Sequence, residues 1–562
     1  MPPLSILLWL PLAFGILGAI LPPGRTGRTA TPASAPGGET RRPRSAAGVA
    51  ALLGSLATFG LAVAYLVDYK PGGGPQHVTD TMWISSLGIH YKLAVTGLNV
   101  ALIALSALLF AAAVLAANVR PSGPPERARS FYLQLMLAES AVLGAFLAQD
   151  LILFVAFFDL MLIPFYFLIG VWGRDPEGST RVRATTKLVI YTLVGSLLML
   201  AGAVATGVLA AQQNGGSVDF AYTALQHAPL ATGSQEWIFL LFAAAFLVKM
   251  PAFPLHGWMP DGYRAMPIEA LMVFSGVLSK VGAYGFLAIV LTLFPRASVH
   301  FQTLLLLIAL ASIVYGSVQA FTQTDVRLIA GYSSVAQLGF ITLGIFALNS
   351  QGAQGALLQM INHALVVAPL LFFAAVLAGR ARGSEDIRDM GGIAFRAPVF
   401  ASVFLIVALA TLAMPGSSNF VGEFLILLGV FKAKLAIAII AFSGVVMASV
   451  YALRMFIRAM HNRVGRQVDS REITLRDGLV LVPIVVVIVF LAVYPQVALH
   501  KSESSVKGAV AASQIFSTCG MRPDCAYFSA HTGRVTDLDT VFNVIPARDR
   551  SAEETIEGKA RQ

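Results

Sequence analysis

The chain has 562 residues, of which 57% are hydrophobic and 12% are charged, and its mean hydropathy is +0.75. This composition argues against a soluble protein and indicates an integral membrane protein, in which lipid covers most of the apolar surface. The formal net charge of +10 is not the sign of a nucleic-acid-binding protein, because the basic residues lie in separate loops and not on one soluble face.

Apolar segments recur along the chain at the length that crosses a bilayer as a helix, about 20 residues. We therefore predict an all-α integral membrane protein with about fourteen transmembrane helices. Their predicted bounds are 4–21, 47–67, 93–117, 130–148, 150–171, 188–211, 235–255, 266–294, 298–321, 328–348, 352–378, 398–431, 435–457 and 477–499. Helices 7 and 12 are expected to be broken, the first at Pro251 and Pro254 and the second at Pro415-Gly416.

The N-terminal region, residues 1–129, is predicted to be a segment of three helices. Its first helix has no basic residues before it and no small-residue cleavage motif after it, so we interpret it as a retained helix and not as a signal peptide. The basic loop that follows, residues 22–46, is rich in Pro, Gly, Thr and Arg and is predicted to be flexible.

Lysine and arginine are sorted between alternate connections. The connections after odd-numbered helices hold 23 of them, whereas those after even-numbered helices hold 5. Basic loops are retained on the cytoplasmic side of a membrane. Both termini are therefore predicted to be extra-cytoplasmic.

Six ionisable residues fall inside predicted helices at similar depth. They are Glu139, Asp159, Lys249, Lys280, His363 and Glu423. A lone charge near the middle of a bilayer costs several kcal/mol, so we interpret the set as a row across the membrane plane that carries ions or protons. Burial disfavours the charged forms of carboxyl and ammonium groups, and a nearby opposite charge favours them. A carboxylate and a lysine that approach and separate would therefore act as a proton switch.

Structural roles are the alternative for these residues. Lys249 would have to reach a surface roughly 15 Å away to escape the apolar layer, which is beyond its length. Glu139 can hydrogen-bond to a neighbouring helix, which leaves it as an additional candidate only. His363 can be a neutral interior histidine, because an imidazole costs less to bury than a charge.

The two broken helices lie five helices apart, and an odd number of helices reverses the direction of the chain. This arrangement predicts an inverted repeat, as in transporters. The first repeat would cover residues 130–294 (helices 4–8) and the second residues 295–457 (helices 9–13). Residues 458–499 hold the last loop and helix 14.

The polar tail, residues 500–562, contains the only two cysteines, Cys519 and Cys525. They can pair in an oxidising compartment or remain two free thiols, and a metal site with two sulfurs is not expected. The chain has no nucleotide-binding glycine motif, no cysteine set for an iron–sulfur cluster and no haem motif. We therefore expect no cofactor or metal in this chain, and any redox chemistry in partner chains.

Five motifs occur in an order that resembles a known family. They are KMPAFPLHGWMPD, LSKVGAYGF, QTDVRLIAGYSS, QMINHAL and MPGSSNFVGEFLILLG. Over about residues 131–495 the chain resembles the antiporter-like subunits of proton-pumping NADH:quinone oxidoreductase, the respiratory complex I, most closely the subunit M (chain 4) type. The resemblance implies fourteen helices, two inverted five-helix repeats and one proton channel without a redox group.

The resemblance also implies roles for individual residues. Lys249 matches the lysine on the family's broken helix 7, Lys280 the lysine on helix 8 and His363 the histidine on helix 11. Glu423 matches the glutamate on helix 12, where the N and L subunits and the sodium–proton antiporters usually have lysine. NAD, FMN, iron–sulfur clusters and quinone would be bound by partner subunits. The neighbours in the membrane would be L-type and N-type subunits.

Three positions depart from the family pattern. Asp159 replaces a usual glutamate, which could lengthen its contact with Lys249 or draw in a water. Gln337 replaces a frequent histidine and cannot titrate, and the loop MPDGYRAMP lacks the usual His and Glu.

The hypothesis is that Asp159 and Lys249 switch, Lys280 and His363 carry protons laterally, and Glu423 connects to the exit or the next subunit. The alternative functions are a sodium–proton antiporter subunit, which is a secondary transporter, and a membrane scaffold that does not pump.

Overall fold

A computed structural model describes residues 1–22, 45–72, 74–121, 125–175, 178–213, 215–462 and 468–519. These residues form a helical bundle, as predicted. Most of the basic loop 22–46, residues 520–562 and the side chain of Cys519 lie outside the described part, so the question of a disulfide stays open.

The helices up to the middle of the chain are α1 Leu4–Ile20, α2 Ala46–Asp68, α3 Val100–Val119, α4 Ala128–Leu147, α5 Leu151–Leu160, α6 Leu162–Trp172, α7 Thr180–Gln213, α8 Tyr222–His227, α9 Thr232–Lys249, α10 Met259–Ala265, α11 Ile268–Val273, α12 Ser279–Gly285 and α13 Leu291–Leu293. Two π-helical segments, Phe274–Leu278 and Phe286–Val290, join α11, α12 and α13 into one rod. The remaining helices are α14 Pro295–His300, α15 Gln302–Thr322, α16 Val326–Ile345, α17 Ser350–Arg380, α18 Pro398–Thr411, α19 Ser418–Ala433, α20 Leu435–Met460, α21 Leu475–Val493 and α22 Gln496–Cys519.

Eleven helical segments in the described ranges are long and apolar enough to cross a membrane, and α1 and α18 are shorter apolar helices. The centre of the bundle is made by α3, the α11–α13 rod, α16 and α17. Every residue of α16 is buried. Side chains on these helices are therefore shielded from lipid by the outer helices. The exact count of fourteen and the inverted repeats remain predictions.

The expected breaks are present at the predicted helices 7 and 12. Helix α9 ends at Lys249, just before Pro251, because proline has no N–H to continue the helix. A break separates α18 from α19, and there Gly416 has a φ of +92°, a conformation that favours glycine. An additional turn at Met161 divides α5 from α6.

The helical fold class is confirmed, but the predicted start of helix 3 is wrong, because a hairpin lies between helices α2 and α3. Strands β1 (Gln76–Ile84) and β2 (Ile89–Val95) form an antiparallel hairpin, and α3 begins at Val100 and not at residue 93. The segment HVTDTMWI is rich in β-branched and aromatic residues, which favour strands. The hairpin is not predicted from the sequence, because hydropathy alone does not separate the apolar strand β2 from the helix that follows it.

The first part of the predicted polar tail, residues 500–519, belongs to helix α22. Helix α22 packs beside the hairpin: Lys501 Nζ donates to the Tyr69 carbonyl oxygen at 2.9 Å, and the Gly97 N–H donates to Ser505 Oγ at 3.2 Å. The hydroxyl of Tyr65 also donates to the carbonyl oxygen of Pro2. The N-terminus, the hairpin and α22 therefore share one face of the bundle.

Ion pairs join the connections on the opposite face, which are the ones predicted to be cytoplasmic. These pairs are Arg120–Asp477 at 2.7 Å, Arg327–Glu385 at 2.8 Å and Lys187–Asp261 at 2.5 Å. They link six connections that the sorting of basic residues assigned to the same side. We call this face the basic-loop face.

Candidate functional site

Five of the six predicted site residues are almost completely removed from the surface. Their exposed fractions are 0% for Glu139, 6% for Lys249, 0% for Lys280, 3% for His363 and 2% for Glu423, whereas Asp159 is half-buried. Ionisable groups are rarely buried to this extent without a functional or paired role. The contacts of each residue therefore decide what it can do.

Lys249 is placed at the break after α9. Its Nζ donates a 3.3 Å hydrogen bond to the carbonyl oxygen of Phe158 and lies 4.4 Å from the centroid of the Phe158 ring. Both contacts favour an ammonium group, the first by hydrogen bonding and the second by the negative face of the ring. The break thus brings Lys249 to the helix that carries Asp159.

Asp159 and Lys249 interact through charge and form no direct ion pair in the described part of the chain. The Asp159 carboxylate also interacts with the Ser196 hydroxyl of α7, while its buried Oδ1 has no hydrogen-bond partner. That the shorter aspartate lengthens the contact stays a prediction. A small cavity is bordered by Lys249, Thr192 and Trp258.

Lys280 is held by neutral oxygens. Its Nζ donates to the Ser275 carbonyl oxygen at 2.6 Å and to Ser279 Oγ at 3.2 Å. Ser275 belongs to the π-helical segment Phe274–Leu278, a type of irregularity that often occurs at functional sites. No carboxylate is paired with this lysine among the described residues. The site thus holds Lys280 without fixing a counter-charge beside it.

His363 lies on α17 and interacts electrostatically with Lys280. Its Nδ1 is buried and has no hydrogen-bond partner in the described structure. Lys280 and His363 therefore lie on two segments that pack together, α12 and α17, and proton transfer between them stays a prediction. The free nitrogen can accept or donate a proton through water, depending on the tautomer.

Glu423 is positioned by two glutamines. Its Oε1 accepts hydrogen bonds from Gln337 Nε2 at 2.8 Å and Gln359 Nε2 at 3.4 Å, and Gln359 Nε2 also donates to Gln337 Oε1 at 2.8 Å. An added Cβ at Gly422 would lie 2.4 Å from Gln359 Oε1, so this glycine permits the close approach. Gln337 was identified in the sequence only as a residue that cannot titrate. The structure shows that it orients the carboxylate.

Several buried polar atoms around the break between α18 and α19 have no partner among the described residues. They are Glu423 Oε2, Tyr451 OH, Asn362 Oδ1, Ser418 Oγ, Asn419 Oδ1 and Asn419 Nδ2. An unsatisfied buried polar group costs about 1–3 kcal/mol, and ordered water commonly satisfies such groups. Tyr451 also interacts electrostatically with Glu423. This cluster can therefore hold a chain of waters beside the carboxylate.

Sequence reasoning missed most of this cluster. Gln359, Asn362 and His363 have the i, i+3, i+4 spacing that places polar side chains on one helix face, so QMINHAL contained a usable signal. Tyr451 had none, because it is one tyrosine in a long apolar helix.

Glu139 belongs to α4 and contacts α2. Ser55 Oγ donates to its Oε2 at 2.9 Å, and its Oε1 has no partner in the described structure. A hydrogen bond to a neighbouring helix is the structural role that the sequence analysis gave as the alternative for Glu139. Nothing in these contacts joins Glu139 to the other five residues.

Comparisons with known proteins match the chain to one family and to relatives within it. Residues 148–449 match the family described as NADH:quinone oxidoreductase/Mrp antiporter, TM. The chain is 34% identical over 502 residues to NADH-quinone oxidoreductase subunit M of Rhodobacter capsulatus, covering 88% of this chain and 93% of that protein.

Two solved structures are also similar. A chain of respiratory complex I from Thermus thermophilus is 28% identical, with a TM-score of 0.77 over 90% of this chain and 99% of that chain. A chain of the Mrp complex from Dietzia sp. DQ12-45-1b has a TM-score of 0.74 over 92% of this chain and 100% of that chain, but at 19% identity the likeness concerns the fold alone.

Proposed function

Since the chain belongs to the NADH:quinone oxidoreductase/Mrp antiporter family of membrane proteins, we propose that it is a proton-translocating membrane subunit of NADH:quinone oxidoreductase. The observation that supports the proposal is the burial of four ionisable residues inside the bundle, namely Lys249, Lys280, His363 and Glu423. Relatives named as subunit M over most of the chain support this function over that of a sodium–proton antiporter.

Asp159 and Lys249 act as the proton switch. When the two charges approach, the ammonium form of Lys249 is favoured; when they separate, burial favours the neutral amine and the proton leaves. The present geometry, with Lys249 bonded to the Phe158 carbonyl and Asp159 Oδ1 without a partner, is suited to such movement. A tight ion pair would hold the proton more firmly.

Lys280 and His363 pass the proton along the centre of the bundle. Among the described residues, the hydrogen-bond partners of Lys280 are neutral oxygens, so the proton it carries is not trapped by a carboxylate. His363 lies on α17, which packs against the segment of Lys280, and its Nδ1 has no hydrogen-bond partner among the described residues. The transfer between them would use water.

Glu423 receives the proton at the second break. The glutamines Gln337 and Gln359 hold one carboxylate oxygen, and the other, Oε2, is one of the buried polar atoms without a partner in the described structure. This cluster leads the proton to the exit or to the next subunit. Residues 130–294 and 295–457 would be the two inverted repeats that supply one break each.

The partner subunits and the membrane location are inferred from the family. The partners are the L-type and N-type membrane subunits, and the NAD, FMN, iron–sulfur clusters and quinone belong to partner subunits. The protein resides in the inner (cell) membrane with both termini extra-cytoplasmic.

The function is tested by proton pumping in inverted membrane vesicles that contain the assembled complex. NADH oxidation should acidify the interior, and the Lys280→Met variant should lose this acidification while the subunit stays assembled. Pumping at the parental rate by Lys280→Met would contradict the proposal. Dependence of transport on Na⁺ without NADH would favour the antiporter function.

A further inference from the structure

A cavity of about 330 Å³ on the basic-loop face has no part in the function proposed above. Its wall is made by the ends of α3, α6, α11, α16 and α17 that lie at this face. Binding sites for small molecules have volumes of about 300–1,000 Å³. The cavity is therefore large enough for a small ligand.

The charged side chains of the wall are mainly basic. They are Arg120, Arg174, Arg327 and Glu385. Glu385 Oε1 accepts a hydrogen bond from Arg327 Nε at 2.8 Å and also pairs with Arg174. Three guanidinium groups thus share the cavity with one carboxylate, and two of them pair with that same carboxylate.

Two further carboxylates lie near these arginines but do not line the cavity. Asp477 accepts two hydrogen bonds from the Arg120 side chain, at 2.7 and 2.8 Å. Asp325 Oδ1 accepts hydrogen bonds from the first two backbone N–H groups of α16, at 2.8 and 3.2 Å. The charge of Asp477 is thus matched by Arg120, and that of Asp325 is stabilised by the start of a helix. The two arginines at Glu385 carry the excess positive charge.

Arg327 retains a donor that the chain does not use. The residue is 4% exposed, its Nε donates to Glu385, and its Nη1 donates to the carbonyl oxygens of Tyr263 at 3.4 Å and Met266 at 2.6 Å. Its Nη2 takes part in no hydrogen bond within the described structure. A guanidinium has five N–H donors in one plane, an arrangement that matches phosphate and carboxylate oxygens in pairs. Nη2 is therefore available to an anionic ligand.

An indole N–H at the wall also lacks an acceptor. Trp172 lines the cavity and is 8% exposed, and its Nε1 has no hydrogen-bond partner in the described part of the chain. A buried Trp N–H usually has a partner. An oxygen of a ligand, or of a water that the ligand holds, would satisfy this donor.

We propose that the cavity binds a phosphate group, which is held by the guanidinium groups of Arg174 and Arg327. The phosphate comes either from the headgroup of an anionic phospholipid or from soluble phosphate. Basic pockets between transmembrane helices are typical sites for anionic headgroups, and Ile268 and Ala375 provide an apolar part of the wall for the glycerol of a lipid. The proposal does not rest on the proposed function, because it requires no proton carrier.

A purely structural role makes a different prediction. The ion pairs of Glu385 would then serve only to join three connections of the basic-loop face. In that case the loss of either charge would loosen this face, and phosphate would not occupy the cavity.

The test measures how fast N-ethylmaleimide, which is uncharged, labels Ala375→Cys in the assembled complex in phosphatidylcholine vesicles. Cys519 and Cys525 are replaced by serine, and labelling is read on this subunit after it is separated from the others. Millimolar inorganic phosphate, or phosphatidylglycerol in the vesicles, should slow labelling by about tenfold, as expected for a site that is about nine-tenths filled. Potassium chloride at the same ionic strength should not slow it. The control is Phe395→Cys, which is exposed outside the cavity and should react at a constant rate.

Two charge variants separate anion binding from filling of the cavity by neutral lipid. Arg174→Gln removes a cation and should remove most of the protection of Ala375→Cys. Glu385→Gln removes the carboxylate of the wall and should strengthen protection, so that half-protection requires less phosphate. Loss of protection in both variants would indicate a structural role and overturn the proposal.

The two sources of phosphate give different results. Protection by inorganic phosphate alone identifies the soluble ion, and protection by phosphatidylglycerol alone identifies the headgroup; both support the site. An unchanged rate in every condition would overturn it. Slow labelling in phosphatidylcholine alone that Arg174→Gln does not relieve would also overturn it, because a partner subunit or neutral lipid would then fill the cavity.

A second position guards against a failure of the first variant to assemble. Ala378→Cys lies on the same wall and replaces Ala375→Cys in that case. The proposed function is judged separately, by the pumping of Lys280→Met, so the absence of an anion site would leave it standing.

Discussion

Lys249 gives its hydrogen bond to the carbonyl oxygen of Phe158, at 3.3 Å, and not to Asp159, the next residue in the chain. The ammonium therefore lies beside its carboxylate without a direct bond to it. A lysine held in this way keeps a charge partner close while retaining the freedom to release its proton. Substitutions that change the length or the charge of the Asp159 side chain therefore measure its contribution.

Asp159→Glu should pump at the parental rate or faster. Oδ1 has no hydrogen-bond partner in the described structure, and an added methylene lengthens the side chain whose charge interacts with Lys249. If the neighbouring helices instead close the space, overpacking would cost about 1–3 kcal/mol and lower the amount of assembled complex. Pumping and assembly are measured together in vesicles.

Asp159→Asn removes the charge at nearly constant size. The Lys249 ammonium would lose its counter-charge in a buried site, and pumping should fall strongly because the proton is no longer held. Full pumping by Asp159→Asn at matched assembly would exclude an essential ionic role for this residue. Glu139 would then be the next candidate for the carboxylate that takes part in proton transfer.

Gln337→Leu tests the positioning of Glu423. The substitution removes the 2.8 Å hydrogen bond to Oε1 and leaves Gln359 as the remaining donor. Pumping should fall by about two- to tenfold. Gln354→Leu is the control, because Gln354 bonds to α22, at Leu499 and Ser502, and to none of the predicted site residues in the described part of the chain. An equal effect of both variants would indicate a general loss of packing and contradict the positioning role.

Orientation is tested by single cysteines in a chain with Cys519 and Cys525 replaced by serine. Leu87→Cys in the hairpin and Phe395→Cys before α18 both occupy exposed positions. A membrane-impermeant maleimide added to intact spheroplasts should label Leu87→Cys and leave Phe395→Cys unlabelled. The reverse pattern would overturn the topology predicted from the basic loops.

The parts of the fold that depend on local pattern were predictable. Apolar segments of membrane-spanning length located the helices, and prolines located the breaks at Lys249 and before Ser418. The hairpin was not located, because its strand Ile89–Val95 is continuous in hydropathy with the helix after it. Helix α22 is polar enough to resemble a free tail, and only its contacts with Tyr69 and Gly97 show that it is docked.

The charged residues of the site were predictable from the sequence, but their hydrogen bonds to neutral side chains were not. Each charge stands out against an apolar helix, whereas neutral partners do not. Gln337, Gln359 and Glu423 are separated by up to 86 residues and meet because three helices pack together.

The measurement that tests the account most directly is proton pumping by Lys249→Met in vesicles with a matched amount of assembled complex. Methionine has a similar length and no charge, so the buried site should fold around it. We expect NADH-driven acidification to fall sharply, and Lys249→Arg to assemble but pump poorly, because guanidinium keeps its proton. Acidification at the parental rate in Lys249→Met would contradict the claim that the buried row carries the protons.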